Sequence, residues 1–479
     1  MISVVLGRIT QFLLLLIMMR VATTYLSPVE VGRISVITTT TAFFALILVN
    51  PAGMFINRRL HAWFSLGRIK QYLRYYWLYL FLVSLAAAMV LAIIQNVPGI
   101  SSKIDLVWLL GLVCGSLVFN TMNQTVIPSM NLLGFRNWFI GLTLATLAVG
   151  LGGGLFLIVY FKPIAEYWLL GLLIGQALFG WIGLNVFLKN TQPSQSDAVS
   201  EEKLTSKKIR VLFLFAWPIA IAVGLNWLQT QSYRFLIEHF LGLASLGLFF
   251  AGYGISAGLI SALESVLTTY FLPGFYRQIN TAEKEEQSLA WNIYAGAIFP
   301  AVILGIFCIA ALASELTQLF LGPNFQTASQ YVIWGALAEG SRVFAATYAM
   351  VAHARMTTRL LIYPNLIGSF ISILLVWLLV PEIGPLGAGI GLAIAGLSVV
   401  FAMHFLMRPH LAIVLPRKSI LISVAMGLLV LVISHLAHIL LGENSGLPSS
   451  IGVLVLAGSV YMVFQYLLVY PFLNLRELI

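Results

Sequence analysis

The sequence predicts an all-α polytopic membrane protein with about 14 transmembrane helices, because apolar runs of about 20 residues, each enough to cross the hydrocarbon core, recur along it. Composition agrees. Of 479 residues, 60% are hydrophobic and 9% charged, where a soluble domain needs about 25% charged residues to cover its surface. The third observation is the sorting of the cations. With the N-terminus placed in the cytoplasm, nineteen of the 26 Lys and Arg residues fall at inner helix ends or in inner loops, and only Lys103 and Lys162 fall in outer loops. The positive-inside rule describes this bias. A β-barrel is excluded, since its strands alternate apolar and polar positions and these runs are continuous.

Helices are predicted over about 4–26, 32–55, 75–95, 106–127, 138–161 and 165–188. The first run begins almost at Met1 and lacks both an early basic region and a small-residue cleavage site, so it reads as a retained helix. A polar segment over 189–209, containing Gln-Pro-Ser-Gln-Ser-Asp, is the longest inner loop and the expected joint between two halves. Helices resume over about 210–235, 243–272, 289–312, 328–352, 360–381, 385–407, 419–440 and 449–473. An even number of crossings places both termini in the cytoplasm. The outer loops are short, about ten residues at Asn96–Asp105, so chemistry is confined to the helical bundle and its mouths.

A weak internal repeat divides the chain further. Arg20, Gly32 and Arg58 in the first half match Arg234, Gly247 and Pro273–Arg277 in the second. Later, Lys162-Pro163 precedes Gly171 and Gly175, as Val380-Pro381 precedes Gly387, Gly389 and Gly391. Transporters are often built from such repeats. The matches give an N-terminal lobe over 1–188, a linker over 189–209, a C-terminal lobe over 210–407, and two added helices over 408–479.

Enzyme chemistry finds no foothold. There is no phosphate-binding Gly-rich loop ending in Gly-Lys-Ser/Thr, and Gly387-Ala388-Gly389-Ile390-Gly391 opens a membrane helix, where small residues let helices pack closely. Seven scattered histidines, two aspartates and two cysteines within apolar runs form neither a catalytic nor a metal-ligating motif. The net charge of +10 follows from topology and from anionic headgroups, not from nucleic acid.

Polar residues inside apolar runs are more informative, because in a membrane they face protein or a water-filled cavity. Asn226, Gln229, Thr230, Tyr233 and Arg234 recur at helical spacing in the seventh predicted helix, and Asn120, Asn123 and Gln124 do so in the fourth. These are candidate cavity-lining residues; interhelical hydrogen bonding is the alternative. Five arginines, Arg8, Arg20, Arg33, Arg234 and Arg342, lie inside or at the lip of the runs. Arg8 can snorkel to the inner interface. Arg20 sits about 9 Å from the outer end of its helix at 1.5 Å per residue. Arg234 has Glu238 at i+4 and Arg342 has Glu339 at i−3, so internal pairing competes with ligand binding for both. Glu264 has no basic neighbour within a turn; protonation, pairing with an arginine of another helix, and a place on an ion path all remain open. Pro128, Pro218, Pro273 and Pro300 interrupt or border helices and permit bending.

At this point a family resemblance emerges. Residues 7–59, from Gly-Arg-Ile-Thr through Leu-Ser-Pro-Val-Glu-Val-Gly-Arg to Asn-Arg-Arg, resemble the opening of polysaccharide flippases of the MOP exporter superfamily. The stretches from Leu241-Gly242 to Pro273 and from Val380-Pro381 to Gly389 resemble parts of their second lobe. The resemblance is one of layout over nearly the whole chain. It implies two six-helix lobes in a V shape, plus two C-terminal helices, and alternating access for a polyprenyl-pyrophosphate-linked oligosaccharide of O-antigen or exopolysaccharide type. On that reading Arg20, Arg33 and Arg234, then Arg342 and Arg58, contact the pyrophosphate, which suits arginine's bidentate donors. Glu264 and Glu339 are the candidates for coupling to a Na+ or H+ gradient. The expected setting is a bacterial cytoplasmic membrane, with membrane lipids and polysaccharide polymerase or assembly proteins as partners, no cofactor, and a monomeric state. A cation-coupled multidrug exporter of the same superfamily and a peptidoglycan-precursor (lipid II) flippase are the alternatives.

Overall fold

The computed structural model describes residues 2–95, 104–191, 206–281, 284–354, 358–441 and 447–475, and among them the chain is helical with no strand. In a bilayer each backbone N–H and C=O must be satisfied within its own segment, which a helix alone achieves for a single span. Among the described residues ten helical stretches are long and apolar enough to cross a membrane; one of them, Arg210–Tyr276, runs 67 residues, and Thr10–Tyr25 and Gly452–Leu468 add shorter apolar helices. The protein is an all-α, multi-pass membrane protein.

Two compact units divide the chain, Met1–Trp227 and Leu228–Ile479. The expected joint at 189–209 lies largely outside the described residues. The eighth helix keeps its partners in the first unit: Trp227 meets the Phe43 ring at 5.0 Å, and Phe215 meets Phe55 at 5.6 Å.

The first unit begins with α1 (Ile2–Tyr25). Ser27 caps α2 (Pro28–Phe44), accepting the Glu30 N–H at 3.4 Å, and Pro28 supplies a fixed φ at the first position. The expected helix over 32–55 runs on to Ser65, passing through a single π turn, Ala45–Val49, into α3 (Asn50–Ser65). At that turn the Tyr79 hydroxyl donates to the Leu48 carbonyl at 2.6 Å. There follow α4 (Ile69–Gln95), α5 (Leu106–Leu132), α6 (Arg136–Tyr160), α7 (Ala165–Asn190) and α8 (Ser206–Gln231). Helices α6 and α7 pack backbone to backbone. A Cβ added at Gly171 would fall on the backbone of Gly154, and one added at Gly175 would lie 2.7 Å from the Gly150 nitrogen. Small residues at such a contact are the means by which membrane helices approach closely.

In the second unit α9 (Tyr233–Thr281) is broken at Gly242, whose φ of 81° a side chain would oppose. It is followed by α10 (Lys284–Ala311), α11 (Ala313–Phe320), a 3₁₀ turn at Pro323–Ala328, α12 (Ser329–Ala354), α13 (Ile362–Ile383), α14 (Pro385–Met407), α15 (Arg417–Leu441) and α16 (Leu447–Leu475). Between the predicted helices over 289–312 and 328–352 the chain forms α11 and its 3₁₀ turn, with Leu316, Leu321, Phe325 and Ala328 buried. Gly387 and Gly391 lie against Leu379 and Val376 of α13, so the glycine-rich opening of α14 serves packing. The last two helices dock on α10: Ser434 donates to the Ala311 carbonyl at 2.7 Å, and Gln465 to the Ala301 carbonyl at 2.7 Å.

Candidate functional site

Two arginine–carboxylate clusters dominate the polar interior, one in each unit. In the first, Arg33 Nη1 lies 3.1 Å from Glu30 Oε1, one turn earlier on α2, and 4.0 Å from Glu166 Oε1 on α7. Glu30 Oε2 also accepts the Ala165 N–H at 2.8 Å, which satisfies an open donor at the start of α7. Glu166 is buried in the first turn of α7, where the helix dipole favours a carboxylate.

The second cluster lies on long helices of the other unit. Arg342 Nε donates to Glu339 Oε2 at 2.6 Å, and its Nη2 donates to Glu264 Oε2 at 2.8 Å. The Tyr253 hydroxyl donates to the other Glu339 oxygen at 2.6 Å. Both clusters share one plan: a glutamate three residues before an arginine on the same helix, and a second glutamate from another helix. With all three groups ionised, each trio carries a net charge of −1. Glu264, left open by the sequence, is paired with Arg342.

The remaining arginines differ in surroundings. Arg20 is partly buried on α1, where its carbonyl accepts from the Thr24 hydroxyl at 2.7 Å. Arg234 lies over the Tyr233 ring at 5.5 Å and the Phe250 ring at 4.9 Å, and its Nε donates to the Tyr233 hydroxyl at 3.2 Å. Such stacking helps hold a guanidinium in place. Arg58 lies on α3, and its side chain is outside the described residues.

The polar stripes resolve less uniformly than their spacing suggests. The stripe from Asn226 to Arg234 is broken, because α8 ends at Gln231 and Tyr233 and Arg234 belong to α9. Tyr233 is fully buried between Phe249 and Tyr253. Gln229 is also buried, its carbonyl accepting from Ser372 at 2.7 Å, whereas Asn226 is exposed. On α5, Gln124 is exposed and Asn120 partly so. Asn123 is a structural lock: its amide donates to the carbonyls of Phe119 at 3.0 Å and Gln176 at 2.6 Å and accepts from Thr146 at 3.1 Å. Asn123→Leu is expected to lower the stability of the first unit by about 1–2 kcal/mol by removing the side-chain bonds that join α5 to the Gln176 carbonyl and the Thr146 hydroxyl. A thermal melt in detergent reads this, with Gln124→Leu as the control expected to melt like the wild type.

Sequence reasoning passed over Glu30 and Glu166. The Glu-x-x-Arg spacing at Glu30 and Arg33, the same as at Glu339 and Arg342, was the available signal. Among the described residues no group of three or more His, Cys, Asp or Glu side chains is placed to hold a metal ion.

No protein-family model matches the sequence, and no curated protein sequence matches it. Solved structures match by fold. The lipid II flippase MurJ, in an inward closed conformation, superposes with a TM-score of 0.66 over 98% of each chain, at 15% identity. The fold is shared end to end. An inward-facing multidrug resistance MATE family transporter of the MOP superfamily superposes with a TM-score of 0.58 at 12% identity, covering 84% of this chain and 94% of the transporter. The architecture of the chain is thus that of MurJ and of the MATE transporter, reached with few residues in common.

Proposed function

We propose that this protein is a flippase that moves a polyprenyl-pyrophosphate-linked oligosaccharide across a bacterial plasma membrane by alternating access, supplying cell-surface polysaccharide (O-antigen or exopolysaccharide) assembly. The observation that carries this reading is the set of Lys and Arg residues within the predicted spans: every one is arginine, on a fold shared with the lipid II flippase MurJ over 98% of each chain. A pyrophosphate has parallel oxygens that a guanidinium meets in pairs, and a low-dielectric setting strengthens such bonds. Arg20 on α1 and Arg234 on α9 are the primary headgroup contacts. Arg33, Arg342 and Arg58 are further contacts, and the carboxylates beside Arg33 and Arg342 also tie helices together.

The excess carboxylate at Glu264 and Glu339 supports a second reading, a cation-coupled exporter of multidrug type, or gradient coupling of the flippase by Na+ or H+. A lipid II cargo differs from the first reading in its glycan. Transport of a fluorescent polyprenyl-pyrophosphate-oligosaccharide into proteoliposomes tests these readings, with a lipid II analogue and a cationic dye run in parallel. The Arg20→Ala/Arg234→Ala protein is expected to lose at least about ten-fold in transport rate, the equivalent of two charge-assisted contacts, while keeping wild-type abundance. Dye efflux without transport of either lipid would overturn the flippase reading. Undiminished transport by the double variant would overturn the assignment of the two arginines.

A further inference from the structure

Between Val31 and Ile104 the chain contains no acidic residue, and in the middle of that stretch five cations, Arg58, Arg59, Arg68, Lys70 and Arg74, lie close together. The connection they surround is rigidly built. Helix α3 ends at Ser65 and is followed by a turn at Gly67, whose φ of 65° suits glycine. The Arg68 N–H closes onto the Trp63 carbonyl at 2.9 Å, and the Gly67 N–H onto Phe64 at 3.1 Å. Trp63 then stacks on Tyr72 with ring planes 9° apart and centroids 4.0 Å apart, pinning the end of α3 to the start of α4.

That stack organises the cations. Arg59 lies one turn before Trp63, with its guanidinium 5.7 Å from the Phe55 ring centroid. Lys70 and Arg74 flank Tyr72 and stand one turn apart on the same face of α4. All three are exposed. At the tip, Phe64 and Leu66 are 39% and 53% exposed. An apolar tip ringed by cations, with a Trp and a Tyr beside it, has the chemistry of a segment seated at the boundary between headgroups and acyl chains. Topology alone asks for the cations. It asks neither for the exposed tip nor for the stacked pair that fixes where they stand.

We infer that the α3–α4 hairpin is a binding site for anionic phospholipid, in which Phe64 and Leu66 enter the acyl region and Arg59, Lys70 and Arg74 hold the headgroup phosphate. A protein partner would have to supply an acidic surface with an apolar pocket, whereas the bilayer offers both features along its whole inner face. The site is independent of the transported cargo.

The test is native mass spectrometry of the full-length protein released from mixed phosphatidylglycerol and phosphatidylcholine micelles, together with melting in the presence of phosphatidylglycerol or inorganic phosphate. The wild type is expected to retain phosphatidylglycerol over phosphatidylcholine. Arg59→Gln/Lys70→Gln/Arg74→Gln is expected to reduce that retention at least about ten-fold, since each surface cation contributes appreciably to attraction by an anionic membrane. Arg136→Gln/Lys189→Gln/Arg417→Gln removes the same charge from three exposed positions elsewhere and is expected to retain the lipid. Phe64→Ser/Leu66→Ser leaves every cation in place and is expected to weaken retention as well, which guards against a misfolded triple variant. Equal loss in both triple variants would reduce the effect to diffuse charge and overturn the site. Protection by inorganic phosphate equal to that by phosphatidylglycerol would show that the cations take free phosphate, and would overturn the lipid assignment.

Discussion

Gly171→Ala is expected to destabilise the first unit by about 3 kcal/mol, at the upper end of the usual range for overpacked cores. The added methyl would fall on the nitrogen and Cα of Gly154. Those are backbone atoms of a helix, and they cannot swing aside as the end of a side chain can. The gain in helix propensity from glycine to alanine is about 1 kcal/mol and favours the variant, so the clash must exceed it for the net effect to be a loss. Gly152→Ala is the matched control. It lies on the same helix as Gly154, and its added Cβ meets nothing within 4 Å. Thermal unfolding of the detergent-solubilised protein, followed by size-exclusion fluorescence, should show Gly171→Ala melting well below the wild type and Gly152→Ala melting at or above it. Equal melting of all three would mean that α6 and α7 are not held at backbone contact.

Arg342→Ala is expected to destabilise the second unit by about 3 kcal/mol, because it leaves two carboxylates facing each other without their cation. The arginine side chain is 32% exposed, which places the effect at the low end of the range for buried pairs. The rescue is the sharper part of the prediction. Adding Glu264→Gln and Glu339→Gln to Arg342→Ala removes the orphaned charges and is expected to recover most of the loss, with the Tyr253 hydroxyl still able to donate to the residue at 339. If the single variant is stable and the triple variant less so, packing of the arginine stem, and not its charge, is what the cluster contributes.

The helical layout was legible because the bilayer imposes a length and a polarity that hydropathy reports directly. Each predicted helix finds its counterpart, including the α14 opening at Pro385 and the run that became α10. Where the reading fell short, the missing information was tertiary. Helix α11 is only eight residues long and gains its burial from packing within the second unit, so no local signal of adequate length announced it. The spacing of Glu339 and Arg342 is local and was read; the approach of Glu264 from a residue 78 positions away was not readable. Asn123 and Gln124 are neighbours in sequence, yet one is locked between three helices and the other is exposed. Helical periodicity gives a face, but not what that face meets. The Asn226–Arg234 stripe is divided between two helices, since α8 stops at Gln231 and α9 begins at Tyr233.

The π turn at Ala45–Val49 has a rotational consequence. It accommodates one residue more than an ideal helical path, so every side chain beyond it is displaced by about 100° around the axis relative to the phase set by α2. Arg59, Trp63 and the cap at Gly67 all lie downstream of it. Their aim is therefore set by a phase offset upstream as well as by their own neighbours, and the stretch from Pro28 to Ser65 behaves as two gears on a single shaft, keyed together where the Tyr79 hydroxyl grips the Leu48 carbonyl.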